Sequence, residues 1–88
     1  MNETNIKRLE NVRKILDDIE EELLPCFAEE DHRLRELCER EMFSDEQVEL
    51  DTVVSSLEYT LLRIKRSRKS LDFVLNYVKE QGEKDHVK

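Results

Sequence analysis

Metal-binding or nucleophilic chemistry in this chain would have to come from Cys26, His32, Cys38 and His86, the full complement of cysteine and histidine in 88 residues. Cys26, His32 and Cys38 are evenly spaced, but each step of six residues turns a helix by about 240°. Such ligands scatter around the axis, and a fourth zinc ligand is missing. Glu29-Glu30-Asp31-His32 and Glu83-Lys84-Asp85-His86 both fit Glu-x-x-His, the spacing with which helical bundles hold two irons. The second copy lies beyond Gly82 in a polar tail, where no core can enclose it. Cys38 is more simply a small residue on an apolar face. The single glycine rules out a phosphate-cradling loop, and no Ser, His and Asp fall in a suggestive context. The expectation is a non-enzyme with no metal and no cofactor.

Composition points to the elements that position these residues. One Gly, one Pro, no Trp and 42% charged residues describe long helices. Sheets would need turn residues every 8–12 positions or so, and they are absent. A net charge of −7 argues against nucleic acid as a partner. No apolar run approaches the roughly 20 residues of a membrane span, and the N-terminus has no signal-peptide pattern. Two cysteines make no disulfide framework, which suits a reduced cytoplasmic or nuclear setting.

Apolar periodicity predicts three helical segments. In the first, Ile6, Leu9, Val12, Leu16, Ile19 and Leu23 recur at threes and fours from about Thr4, with Asn2 or Thr4 as the cap. Pro25 is expected to close it, because a proline pushes the residue before it out of the helical region. A second segment begins near Glu29 and carries Leu34, Leu37, Cys38 and Met42. The third carries Leu50, Val53, Leu57, Leu61, Ile64, Leu71, Leu75 and Val78 and is expected to end near Gly82, so that 1–82 form one domain and 83–88 a frayed tail. Ser44-Asp45-Glu46-Gln47 has the form of a capping box and marks a break between second and third segments. Ser55-Ser56 is a second candidate break. A single helix from Glu29 to Gln81 is the alternative, and its long stripe would force dimerisation or exchange of helices between copies.

Charge is segregated. Ile15 to Asp31 holds eight acids and no base, whereas Arg63, Lys65, Arg66, Arg68 and Lys69 fall together with no acid among them. Such a basic block binds phosphates or pairs with acidic helices. On the third segment Lys65, Arg68, Asp72, Asn76 and Lys79 recur at threes and fours beside the apolar stripe, as a solvated flank or a docking strip does.

Glu49-Leu50-Asp51-Thr52-Val53, followed by Arg68-Lys69-Ser70-Leu71 and Asn76, resembles the BAG domain. The resemblance is specific from Arg40 to Glu80. It implies an antiparallel three-helix bundle that binds the ATPase domain of heat-shock 70 kDa chaperones and promotes nucleotide exchange and client release. Glu41, Asp51 and Arg68 would then be charged contacts, and Lys65, Lys69, Asp72 and Asn76 would share the chaperone-binding face. Asn76 stands where the family usually has Gln. Two other classes compete: a coiled-coil scaffold subunit of a larger assembly, and a nucleic-acid or acidic-lipid binder using Arg63–Lys69. Arg68 discriminates. On a chaperone-binding face it contributes little to the fold, whereas in a protein that is only a bundle it pairs with acids among Asp17–Glu22.

Overall fold

The computed structural model describes residues 1–40 and 44–86, with 83–86 described by backbone alone. Two α-helices, α1 (Glu3–Arg40) and α2 (Asp45–His86), lie antiparallel as a hairpin. The expected three-helix bundle is therefore corrected to two helices, and so is the continuous helix from Glu29 to Gln81. Glu41, the expected chaperone contact, lies outside the described residues.

The caps follow the sequence. Asn2 Oδ1 accepts from the Asn5 amide at 2.8 Å, fixing the start of α1. Ser44 Oγ accepts from the Gln47 amide at 3.1 Å, and Asp45 and Glu46 occupy the first turn of α2, where acids complement the helix dipole. Ser55-Ser56 makes no break, and α2 runs through Gly82 to His86.

Pro25 does not end α1. A proline inside a helix removes one backbone hydrogen bond and crowds the carbonyl four residues earlier, at a cost of about 3 kcal/mol. The penalty is local, and seam residues on both sides of it outweigh it. Leu23 precedes the proline in the seam, and beyond it Phe27 and Leu34 pack on the buried cluster of Leu37, Leu50 and Val54. Breaking the helix at Pro25 would forfeit that second half.

The seam has an unbroken heptad rhythm. Ile6, Leu9, Arg13, Leu16, Glu20, Leu23, Phe27, Glu30, Leu34 and Leu37 alternate steps of three and four along α1, and each is buried or half-buried. Gln47, Leu50, Val54, Leu57, Leu61, Ile64, Arg68, Leu71, Leu75 and Val78 do the same along α2. Three residues assigned to the apolar stripe from sequence lie outside this seam. Val12 is 45% exposed, Ile19 39% and Val53 47%, with Arg13, Glu20 and Val54 in the places beside them. Cys38 is exposed too, and its sulfur accepts from Gln47 Nε2 at 3.1 Å.

One stripe per helix makes a thin core. Among the described residues no side chain is fully buried, and the hairpin measures 68 × 16 × 14 Å. Its radius of gyration is 19.7 Å, against about 12 Å for a compact domain of this length. Its surface is 7236 Å², against about 5,500 Å² for a compact 10.6 kDa monomer.

Replacing Pro25 with alanine restores the missing hydrogen bond but frees the unfolded chain. The net expectation is a gain of about 1–2 kcal/mol and a thermal midpoint raised by at least about 5 °C. A lowered midpoint in a calorimetric melt would show that the proline shapes the packing around Phe27. In the opposite direction, Leu37→Ala, which removes a core side chain only 6% exposed, is expected to cost about 2–3 kcal/mol in denaturant unfolding.

Candidate functional site

Heptad geometry gives the hairpin two long flanks, one on each side of the seam. The polar flank carries Asp17 and Asp31 from α1 and Asp51, Glu58, Lys65, Asp72 and Lys79 from α2, the latter one heptad apart, with Lys69 and Asn76 beside them. Asp51, Lys65, Lys69 and Asn76 are exposed. Arg68 is not on this flank; it enters the seam, and Asp72 sits at its edge. A shallow apolar groove of about 260 Å³ is bordered here by Leu24, Phe27, Leu61 and Leu62, with Glu58 and Lys65 at its mouth.

Arg68 and Asp72 belong to a charge network between the helices. Arg68 donates through one terminal nitrogen to Asp17 at 3.1 Å and to Glu20 at 3.0 Å. Arg13 forks between Asp17, at 2.6 Å, and Asp72, whose carboxylate it meets through two nitrogens. Glu20 Oε2 is buried with no hydrogen-bond partner. The Arg13 hydrogen bond holds the Asp72 carboxyl below the usual carboxylate range, with partial burial opposing it. Hydrogen bonds to Glu20 and Asp17 raise the Arg68 guanidinium above its ordinary value, and those to Asp72 and Asp17 do the same for Arg13. Arg68 thus pairs with Asp17 and Glu20, the acids named for it if the protein is only a bundle.

The opposite flank is apolar over the half away from the turn, where it presents Val12, Ile15 and Ile19 from α1 and Val74 and Tyr77 from α2 around Ser67 and Ser70. Toward the turn Cys26, Val53 and Thr60 share it with Glu22, Glu29, Arg33, Glu36 and Glu49. Ile15 is 53% exposed and Tyr77 55%. An open groove of about 670 Å³ runs along it, floored by Leu16 and Leu71 and walled by Val12, Ser67, Ser70, Tyr59, Arg63 and Arg66. The Arg63 guanidinium lies 5.3 Å from the centre of the Tyr59 ring and donates to its hydroxyl at 3.0 Å. Sequence reasoning assigned Val12 and Ile19 to the core and so missed this flank. The signal available was Ile15, which widened the stripe beyond what one seam can bury.

Among the described residues no group of three His, Cys, Asp or Glu is placed to hold a metal ion. His32 instead meets Glu36 at 3.0 Å on the surface. No helix among them is long and apolar enough to cross a membrane. The geometry defines a class, an antiparallel helical hairpin with one charged and one apolar flank. No family model, curated protein or solved structure matches the chain.

The network has a pH signature. Asp72 has a depressed folded-state pKa, so its contribution to stability is present above the unfolded carboxylate value near 4 and is lost as pH falls through the lower folded value. Melts between pH 7 and pH 2 are expected to show stability falling below about pH 4, and Asp72→Asn to flatten part of that fall. Arg68→Ala is expected to lower the thermal midpoint, because Glu20 then keeps a half-buried charge with no cation. Arg68→Leu with Glu20→Leu is expected to raise it, since apolar replacement of a buried pair removes the desolvation cost. An unchanged midpoint in Arg68→Ala would remove the network from the forces holding the hairpin.

Proposed function

We propose that this chain is a scaffold subunit, a coiled-coil hairpin that takes its place in a larger protein assembly through helix–helix docking. The observation that carries this reading is the apolar flank. Val12, Ile15, Ile19, Val53 and Tyr77 are large apolar side chains left in water along one side of the molecule, whereas the other side sets its exposed Leu24, Val48 and Leu62 among Asp51, Glu58, Lys65 and Lys69. Contiguous exposed apolar patches of this kind mark interaction sites. A rigid rod with paired heptads offers such a surface without any catalytic group.

The co-chaperone reading ranks second and rests on the BAG resemblance. In its favour, Asp51, Lys65, Lys69 and Asn76 are exposed on one flank of α2. Against it, Arg68 and Asp72 are already engaged by Asp17, Glu20 and Arg13, and a chaperone would have to displace those partners. The nucleic-acid or acidic-lipid reading keeps only the exposed bases of the Arg63–Lys69 block, on a chain of net charge −7.

Two measurements separate these readings. Native gel filtration of extract from the source cells is expected to place the chain in a complex larger than the purified protein forms, and Ile15→Glu with Ile19→Glu to release it. A chain eluting at the size of the purified protein removes the scaffold reading. Release of labelled ADP from a heat-shock 70 kDa ATPase domain is expected to be unchanged by this protein. Acceleration that Asp51→Ala and Lys69→Ala abolish would restore the co-chaperone reading in its place.

A further inference from the structure

We infer that the apolar flank is covered by a second copy of this chain, in a four-helix bundle whose two-fold axis runs along the hairpin. This rests on the docking role proposed for that flank and names its occupant, so that the dimer formed through it is the unit that enters the larger assembly.

Area supports a copy of equal length. A 68 × 16 Å flank offers on the order of 1,000 Å² per copy, above the roughly 800 Å² per partner of a stable interface. The hairpin's surface also exceeds that of a compact monomer by more than such an interface needs. Shape agrees. Val12, Ile15 and Ile19 project from α1, while Ser67 and Ser70 on the same flank of α2 are small and leave a groove. One copy's ridge meets the other's groove only if α1 of each lies over α2 of its partner.

Charge selects the axis. The outer side of α1 carries Asp18 and Glu22, and α2 carries Arg63 and Arg66 at the same height along the hairpin. A two-fold axis parallel to the helices sets α1 of one copy over α2 of the other without changing height, so Glu22 of each faces Arg63 of its partner, and Glu36 and Glu49 nearer the turn come level beside Arg33 and Arg40. A two-fold axis across the hairpin, in the plane of the flank, sets α1 over α1, acid over acid and arginine over arginine. Like charges so placed are disfavoured, and opposite charges fix orientation. The same axis repeats within the bundle the antiparallel neighbour relation that α1 and α2 already have, as four-helix bundles do.

Sedimentation equilibrium of the purified chain is expected to give twice the 10.6 kDa monomer mass. Ile15→Glu is expected to yield a monomer that remains helical by circular dichroism, whereas Leu62→Glu, on the opposite flank, leaves the dimer intact. Arg63→Glu is expected to weaken the dimer roughly tenfold or more, and Glu22→Arg in the same chain to restore it. Orientation is read independently with a spin label at Glu39→Cys in a Cys26→Ser, Cys38→Ser background. Labels near the turn are expected to lie within a few helix diameters of about 10 Å each. A separation approaching the 68 Å length of the hairpin would overturn the axis. A wild-type monomer, or a dimer insensitive to Ile15→Glu, would overturn the second copy. A monomer in solution that still runs in a large complex in extract removes the dimer and leaves the scaffold reading standing. A dimer that joins nothing larger does the reverse.

Discussion

Arg68 crosses the seam between two long helices to reach Asp17 and Glu20, and the alignment of the other layers depends on where it lands. Apolar heptads by themselves tolerate slippage, since one Leu–Leu layer resembles the next. A slip of one heptad along α1 would set Arg68 against Arg13 in one direction or Phe27 in the other. The first brings two guanidinium groups together, and the second strands a charge on an aromatic ring with its carboxylates out of reach. A single polar pair at a seam position fixes register in this way while lowering stability relative to an apolar layer. Glu20 shows the cost, for one of its oxygens is buried with no partner.

That same layer explains what was legible in the sequence and what was not. Helical class, the Asn2 and Ser44 caps and most of the α2 stripe follow from local chemistry and apolar spacing, which a single chain displays. The number of helices did not follow, because the rule at Pro25 is local while the packing of Phe27 and Leu34 beyond it is not. Seam membership was misassigned wherever a charged residue held a seam position. With Arg13 and Glu20 presumed to face water, Val12 and Ile19 were the nearest apolar residues to complete the stripe. Val53 and Val54 are both apolar neighbours, and spacing of three or four admits either. Arg68 was placed on a flank for the same reason, and only the acids of α1 opposite it reveal its place in the seam.

The phase of the seam decides which apolar residues α1 buries. Leu9, Leu16 and Leu23 set that phase together with Arg13 and Glu20, and Val12 and Ile19, each one residue before a charged seam position, line up on the flank at heptad spacing with Ile15 between them. The charged layers bury little apolar area themselves, so the hairpin keeps a thin core and leaves these three aliphatic side chains of α1 outside it.

The two flanks therefore divide the work between holding and docking. Arg13, Arg68, Asp17, Glu20 and Asp72 hold the helices in one alignment, and their hydrogen bonds are made within the chain. On the apolar flank Val12, Ile15 and Ile19 make no such bonds, and Ser67 and Ser70 of α2 stand level with the bulky side chains of α1. An arrangement of ridge beside groove on one rigid face is self-complementary under a rotation that exchanges the helices. The register set by Arg68 is what keeps ridge and groove level. A slipped hairpin would move Glu22 away from the height of Arg63 by a full heptad, roughly 10 Å along the axis, and the flank would lose its match to a second copy together with its internal ion pairs.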